Sequence, residues 1–323
     1  MRYYRIHTAD TAYLTRQPRG IFTAVYKLVD AGRLSEEETA EYWRQRAYFE
    51  RVLPVPPFYT EGNPDRAVTW FKCTEAGNRI WQEMGFYREM LAKCGIPVFR
   101  SECTEVPGEL IYEDDFQIAV RSPRRDIVVL TRPVAGDGTA DSPVAVAFED
   151  ADVTIRNMEE GDARVFTDGE LAQGWHADIG KYLMRLQHQA EGRCIALTAV
   201  YRGEPAGYVN VYRTAPDDGN PFAGLGWPEI VDFGVLQKYQ RRGVGTRLMD
   251  AAEAIAGLWS DTVCLCVGLH NGYGSAQRMY VKRGYIPDGS GVWYRGKPCT
   301  PYDTIYTNDD DMVLYLSKKL PRA

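Results

Sequence analysis

No uninterrupted apolar run reaches about 18 residues, so no segment has the length of a transmembrane helix. The opening residues, Met1-Arg2-Tyr3-Tyr4-Arg5, lack the apolar stretch of a secretory signal, and a soluble chain is expected. There is no fixed-period repeat and no low-complexity tract. Cysteine is sparse: seven residues, at positions 73, 94, 103, 194, 264, 266 and 299. An odd number at irregular spacing argues against a disulfide framework and for a reduced, cytosolic compartment. A basic excess is also missing. Lys and Arg number 38 against 44 Asp and Glu, for a net charge of −6. Residues 1–150 hold 19 basic and 23 acidic side chains, and residues 151–323 hold 19 and 21. Neither half carries the charge that phosphate backbones select, so no nucleic-acid or membrane partner is expected. A mildly acidic surface suits cationic substrates.

What remains is ordinary globular composition, 45% hydrophobic and 25% charged, which excludes a largely disordered or collagenous chain. At roughly 150 residues per domain, 323 residues suggest two domains. Chains of this size bury ample core without metal or disulfide help.

The first 121 residues read as a small α+β domain. Ser35 and Glu38 form a capping box that opens a helix running toward Val52, and Pro54, Pro56 and Pro57 stop it. Ile80, Met84, Tyr87 and Leu91 recur at helical spacing and predict one helix from Gly77 to Lys93, closed by Gly95 and Pro97. Residues 108–112 and 116–120 read as two strands around the acidic turn at 113–115. Residues 122–150 are punctuated by Pro123, Pro133, Gly136, Gly138 and Pro143 and read as a linker with room for an extra strand.

From 151 to 320 the elements become regular. The predicted order is a strand at 153–156, helical segments to Gln189, strands at 194–201 and 206–212, and a strand from Glu229 to Val235. A helix from Val244 to Ala256, a strand at 262–269, a short helix at 275–283 and strands at 292–297 and 312–317 complete it. The connection 214–226, rich in Gly, Pro and Asp and containing Asn220, is long enough to suggest a functional loop.

The strongest chemical signal is Gln240-Arg241-Arg242-Gly243-Val244-Gly245-Thr246, between a strand and a helix. Two glycines two apart let backbone approach a ligand, and the unsatisfied N–H groups at a helix start form an anion site. Arg241 and Arg242 add charge suited to phosphates. A pyrophosphate-bearing cofactor is the natural occupant. The pattern is neither the dinucleotide G-x-G-x-x-G nor a Walker loop.

Gln240-x-x-Gly243-x-Gly245 resembles the Q/R-x-x-G-x-G/A signature of the GNAT acetyltransferase superfamily. Asn271, Ala276 and Met279-Tyr280-Val281-Lys282-Arg283-Gly284-Tyr285 resemble that family's second segment, in the expected order. The resemblance covers about residues 153–320. It implies a GNAT fold, a mixed central β-sheet flanked by helices, with acetyl-CoA as co-substrate. Val235, Gln240, Arg241, Arg242, Gly243, Val244, Gly245, Thr246 and Asn271 are the implied cofactor contacts.

Acetyl transfer to an amine needs the uncharged amine, and an alkyl amine has a pKa of about 10.4, so a base must take its proton. By resemblance Glu229 is the first choice. Asp232, three residues on, is the runner-up: it points to the opposite face of an ideal strand, and a bulge would reverse the order. The resemblance places Tyr280 near the CoA sulfur, where a phenol that stays protonated donates to the thiolate. The Val235 N–H is the candidate donor to the oxyanion.

Cys264, Cys266 and His270 have the look of a metal set, but both thiols lie in an apolar run and read as core, so no metal is expected. His7, His176 and His188 have no paired partner in sequence. Trp175, Tyr182 and Trp227 are equally suited to an amine pocket and to core packing. The expected activity is acetyl-CoA-dependent N-acetylation of a small-molecule or peptide amine. The alternative is a non-catalytic GNAT-fold sensor of CoA thioesters. The N-terminal domain carries no chemical motif, and substrate recognition ranks first among its expected roles.

Overall fold

A computed structural model describes residues 1–135, 144–216, 218–302 and 305–320. The chain divides into two compact units, Met1–Asp150 and Ala151–Arg322.

The first unit is built from β1 (Tyr3–Thr11), β2 (Pro18–Gly20), α1 (Ile21–Asp30), α2 (Glu36–Val52), α3 (Pro57–Thr60), β3 (Val68–Lys72), α4 (Glu75–Glu83), α5 (Gly85–Lys93), β4 (Val98–Cys103), β5 (Glu109–Glu113), β6 (Gln117–Arg121), β7 (Val129–Val134) and β8 (Ala145–Glu149). Its strands pair antiparallel in the order β5-β6-β3-β1-β4-β7-β8, with β2 also on β1. Strand alternation sends Tyr4, Ile6 and Phe71 into a core with Ile21, Val25, Phe49, Ile80 and Leu91 from the helices. Tyr3, Val68 and Trp70 join a second cluster with Ile118 and Ile127.

The predicted capping box is present: Ser35 Oγ accepts from Glu38 N (3.2 Å) and Glu38 Oε2 accepts from Ser35 N (2.9 Å). The single helix expected over 77–93 is two helices, broken at Met84, which is fully buried with a non-helical ψ of 13°. Periodicity persists through the break because the same face meets the core on both sides. The segment 122–150, read as a linker with one extra strand, supplies two strands, β7 and β8, so the first unit runs to Asp150. Gly136, Gly138 and Pro143 of that segment lie outside the described residues.

The second unit contains β9 (Val153–Asn157), α6 (Glu160–Ala172), α7 (Ile179–Ala190), β10 (Cys194–Tyr201), β11 (Glu204–Tyr212), β12 (Glu229–Val235), α8 (Val244–Trp259), β13 (Thr262–Gly268), α9 (Gly274–Lys282), β14 (Ile286–Tyr294), β15 (Lys297–Pro298) and β16 (Met312–Lys319). The order is β9-β10-β11-β12-β13-β16-β14-β15, antiparallel except for β12 and β13. That parallel pair requires a crossover, and α8 supplies it. Gly207 and Tyr208 are adjacent on β11 and point to opposite faces. A Cβ on Gly207 would lie 3.1 Å from Leu248 of α8, while Tyr208 packs on Phe166 of α6 and Tyr182 of α7. Helices therefore cover both faces, the mixed, helix-flanked sheet that was expected.

Candidate active site

Strands β12 and β13 pair at only two positions, Glu229 with Cys264 and Ile230 with Leu265. Beyond them β12 runs on to Val235 and β13 to Gly268 without further pairing, so the sheet splits. The cause lies in β12. Tyr208 opposes Gly234 and Asn210 opposes Val231, which leaves an extra residue in β12, and Asp232 takes φ +54°. This is the bulge that could overturn the strand alternation of the two carboxylates.

With the bulge, both carboxylates lie on the α7 side. Tyr212, paired with Glu229, contacts Arg185 and His188 of α7, and Arg185 Nε donates to Asp232 Oδ2 (2.7 Å). Glu229 is 7% exposed, and Asn220 Nδ2 donates to its Oε1 (3.2 Å). Asn220 Oδ1 accepts from Phe222 N (2.8 Å), so the 214–226 loop holds the group that orients the glutamate. Burial, with a smaller push from Asp232, raises the Glu229 carboxyl to about 7; Asn220 and Arg185 oppose the shift.

Cys264 and Cys266 share a face of β13, but the split separates their fates. Cys264 is buried and its thiol reaches Pro228 O (3.3 Å). Cys266, expected in the core, is exposed where β12 has peeled away. Desolvation by the neighbouring chain, then Glu229 and Asp232, pushes its thiol up to about 12, so it stays protonated. Tyr280, on α9, is buried and meets Phe233 edge to face with ring centroids 6.3 Å apart. Burial, then Cys266 and Tyr273, raises its hydroxyl, so the phenol is a proton donor throughout the neutral range. Gln277 Nε2 donates to Gly268 O (2.7 Å) and fastens α9 to the end of β13.

The other wall is the glycine loop. Gly243 is the residue before α8 and takes φ +82°, with no side-chain cap on the helix. Open space surrounds it, so the glycine answers a backbone need rather than a close approach. Gly245 is different: a Cβ there would meet Phe233 Cζ at 3.0 Å, and its absence lets α8 start hard against β12. The first N–H bonded within the helix is that of Arg247, to Gly243 O (3.1 Å), so those of Val244, Gly245 and Thr246 precede the ladder. No acidic residue in the first turn offsets the positive helix end. Gln240 is exposed and its Nε2 donates to Val235 O (3.0 Å). Arg241 is exposed with φ +63°. Arg242 turns back, donating to Lys238 O (3.3 Å) with its guanidinium over the Tyr201 ring. Leu236 N donates to Ala206 O (2.9 Å), which makes Val235 and Gly207 a non-hydrogen-bonded pair. The Val235 N–H therefore points away from β11, into the split. Asn271 is exposed at the turn that leads into α9.

Residues 158–285 match the model of the Acetyltransferase (GNAT) family. This unit carries a GNAT domain. Acetyl-CoA is the family's co-substrate. No curated protein matches the chain. Similar solved structures include Ard1 from Thermoplasma volcanium, at 16% identity over 53% of this chain and 99% of that one, with a TM-score of 0.40. Another is the ribosomal-protein-S18-alanine N-acetyltransferase from Escherichia coli, at 17% identity over 53% and 96%, with a TM-score of 0.39. A third is yncA from Salmonella typhimurium with its cofactor acetyl-CoA, at 15% identity over 53% and 95%, with a TM-score of 0.39.

The GNAT domain does not gather every residue noted in sequence. Tyr182 is core between Phe166 and Tyr208, Trp227 packs on Phe222 beneath the loop, and Trp175 is 38% exposed. His270 faces Asp310 (2.9 Å), and His188 faces the Tyr212 hydroxyl (2.6 Å). In the first unit, His7 is buried on Ser101 Oγ (2.8 Å). Sequence reasoning missed Arg185, Tyr212 and the role of Asn220. Arg185 and Tyr212 sit in distant elements that only the sheet brings beside β12.

Proposed function

We propose that the second unit is an acetyl-CoA-dependent N-acetyltransferase that acetylates a primary amine of a small molecule or peptide by direct attack on the thioester. The carrying observation is the split between β12 and β13, with a bare helix start on one side and a buried glutamate near neutrality on the other. The fit to the donor rests on the same features. The N–H groups of Gly243, Val244, Gly245 and Thr246 would hold a diphosphate, with no side-chain cap competing and Gln240 and Arg241 beside them. Arg242 joins only by leaving Tyr201. Asn271, exposed at its turn, would meet the pantetheine arm, and the Val235 N–H would donate to the acetyl carbonyl oxygen as it gains charge. When bound, acetyl-CoA supplies the activated acetyl carbonyl.

Glu229 takes the proton. Among the described residues its Oε2 has no hydrogen-bond partner, and a carboxylate that titrates near 7 is matched to base work at neutral pH. Asp232 is the weaker candidate because Arg185 holds one of its oxygens. Together the two carboxylates attract an ammonium ion before deprotonation. As the N–C bond forms and the C–S bond breaks, the Tyr280 hydroxyl gives its proton to the departing sulfur, and the second proton lost by the nitrogen as it becomes an amide restores the Tyr280 phenol. The products are an amide and a free thiol.

Thiol release from acetyl-CoA across a panel of primary amines tests this reading. Turnover with at least one amine, lost with Glu229→Gln, is expected. Acetyl-CoA binding with no turnover on any amine would favour a non-catalytic thioester sensor.

A further inference from the structure

A cavity of about 500 Å³ opens in the first unit, within the common size range of small-molecule pockets. It lies where β1 and β3 part. They pair only through Tyr3 with Lys72 and Tyr4 with Phe71, and the next residues, Arg5 and Ile6 on one side and Val68 and Thr69 on the other, line the opening. Phe22, Phe49, Leu53 and Phe71 give it an apolar wall.

Arg5 is the anomaly. It is 9% exposed, it lines the cavity, and among the described residues no carboxylate pairs with it. Among the described residues its side chain's one hydrogen bond is to the carbonyl of Pro18. Burial lowers its pKa to about 10, with only Tyr59 opposing. The other arginines on the lining are matched: Arg19 with Asp10 (2.6 Å) and Arg46 with Glu50 (2.8 Å). A buried cation without a counter-charge is costly, and folding alone gives no reason to keep one.

A second positive feature faces the same space. The ten-residue helix α1 follows Gly20 with no side-chain cap and no acidic residue in its first turn, and Gly20, Ile21, Phe22 and Thr23 all line the cavity. The first-turn N–H groups and the dipole end favour an anion there.

We propose that this cavity is a binding site for a small apolar monocarboxylate, its carboxylate on the Arg5 guanidinium and the start of α1, its hydrocarbon body against Phe22, Phe49 and Phe71. One guanidinium matches one carboxylate in fork geometry, whereas a phosphate dianion would keep a charge uncompensated among apolar walls. The site stands independently of acetyl transfer by the second unit.

Calorimetry on the full chain tests it, with phenylacetate and octanoate as probes and phenylacetamide and phenyl phosphate as controls. At least one acid is expected to bind saturably, about tenfold or more tighter than the neutral amide and tighter than the phosphate. Hydrogen exchange of the amides at 21–24 should slow when the acid is present. Arg5→Met should weaken the acid by about tenfold or more and leave the amide unchanged. If Arg5→Met fails to fold, the acid–amide comparison and the exchange pattern on the wild type decide alone. No binding by either acid, equal affinity for the amide, tighter binding of phenyl phosphate, or exchange unchanged at α1 would overturn the proposal.

Discussion

Glu229 and Tyr280 share a dependence on burial, but burial acts on them in opposite functional directions. It lifts the glutamate to about 7, into the range where a carboxylate can both accept and release a proton. It lifts the phenol too, and thereby guarantees a donor. If Glu229 is the base, kcat/KM for an amine should rise with pH through about 7, and Glu229→Gln should remove that limb with about 10²–10⁴-fold loss. Tyr280→Phe should cost a similar factor without moving the limb. A pH profile of Glu229→Gln identical to wild type would rule the assignment out. The same shift has a stability consequence. The folded pKa lies above the ordinary 4.5, so between about 4.5 and 7 the folded state keeps a proton that the unfolded state has lost. Stability therefore falls as pH rises through that window, by at most about 3.5 kcal/mol at roughly 1.4 kcal/mol per unit. Glu229→Gln should gain in melting temperature relative to wild type between pH 5 and pH 8. Asn220→Ala removes an opposing contact, so it should move the kinetic limb to higher pH.

Among the elements, the decisive feature is one residue too many in β12. The bulge at Asp232 ends the pairing with β13, exposes Cys266 and puts both carboxylates on one side. Close packing holds it in place: a Cβ at Gly234 would lie 2.6 Å from the Tyr208 ring. Gly234→Ala should destabilise the protein by about 1–3 kcal/mol, measured by denaturant melts. The helix start across the split has a separate test. Acetyl-CoA should raise the melting temperature of the wild type, and Gly243→Asp, which sets a negative charge at the bare N–H groups, should abolish that rise. A mutant rise as large as that of wild type would contradict the diphosphate assignment.

Each compact unit has its own core, and the second contains every residue proposed for acetyl transfer. A chain of residues 151–320 is therefore expected to keep the acetyl-CoA thermal shift. Substrate recognition by the first unit would show as a changed kcat/KM for the amine in that shortened chain; unchanged kinetics with every active amine would argue against it. Much of this was legible in the chain itself. The capping box at Ser35, the strand-loop-helix around Gly243 and the second segment ending at Tyr285 are local patterns, and their meaning depends on residues a few positions apart. The break at Met84, the two strands inside 122–150 and the exposure of Cys266 were not legible, because each depends on which surface a distant element covers. The sequence by itself determined the elements and the glycine loop, since backbone preference and hydrophobic period are short-range. The tertiary structure alone decided the pKa of Glu229, the partners of Asp232 and the burial of Arg5 beside α1 with no carboxylate partner among the described residues, because burial and counter-charge come from residues far apart in the chain.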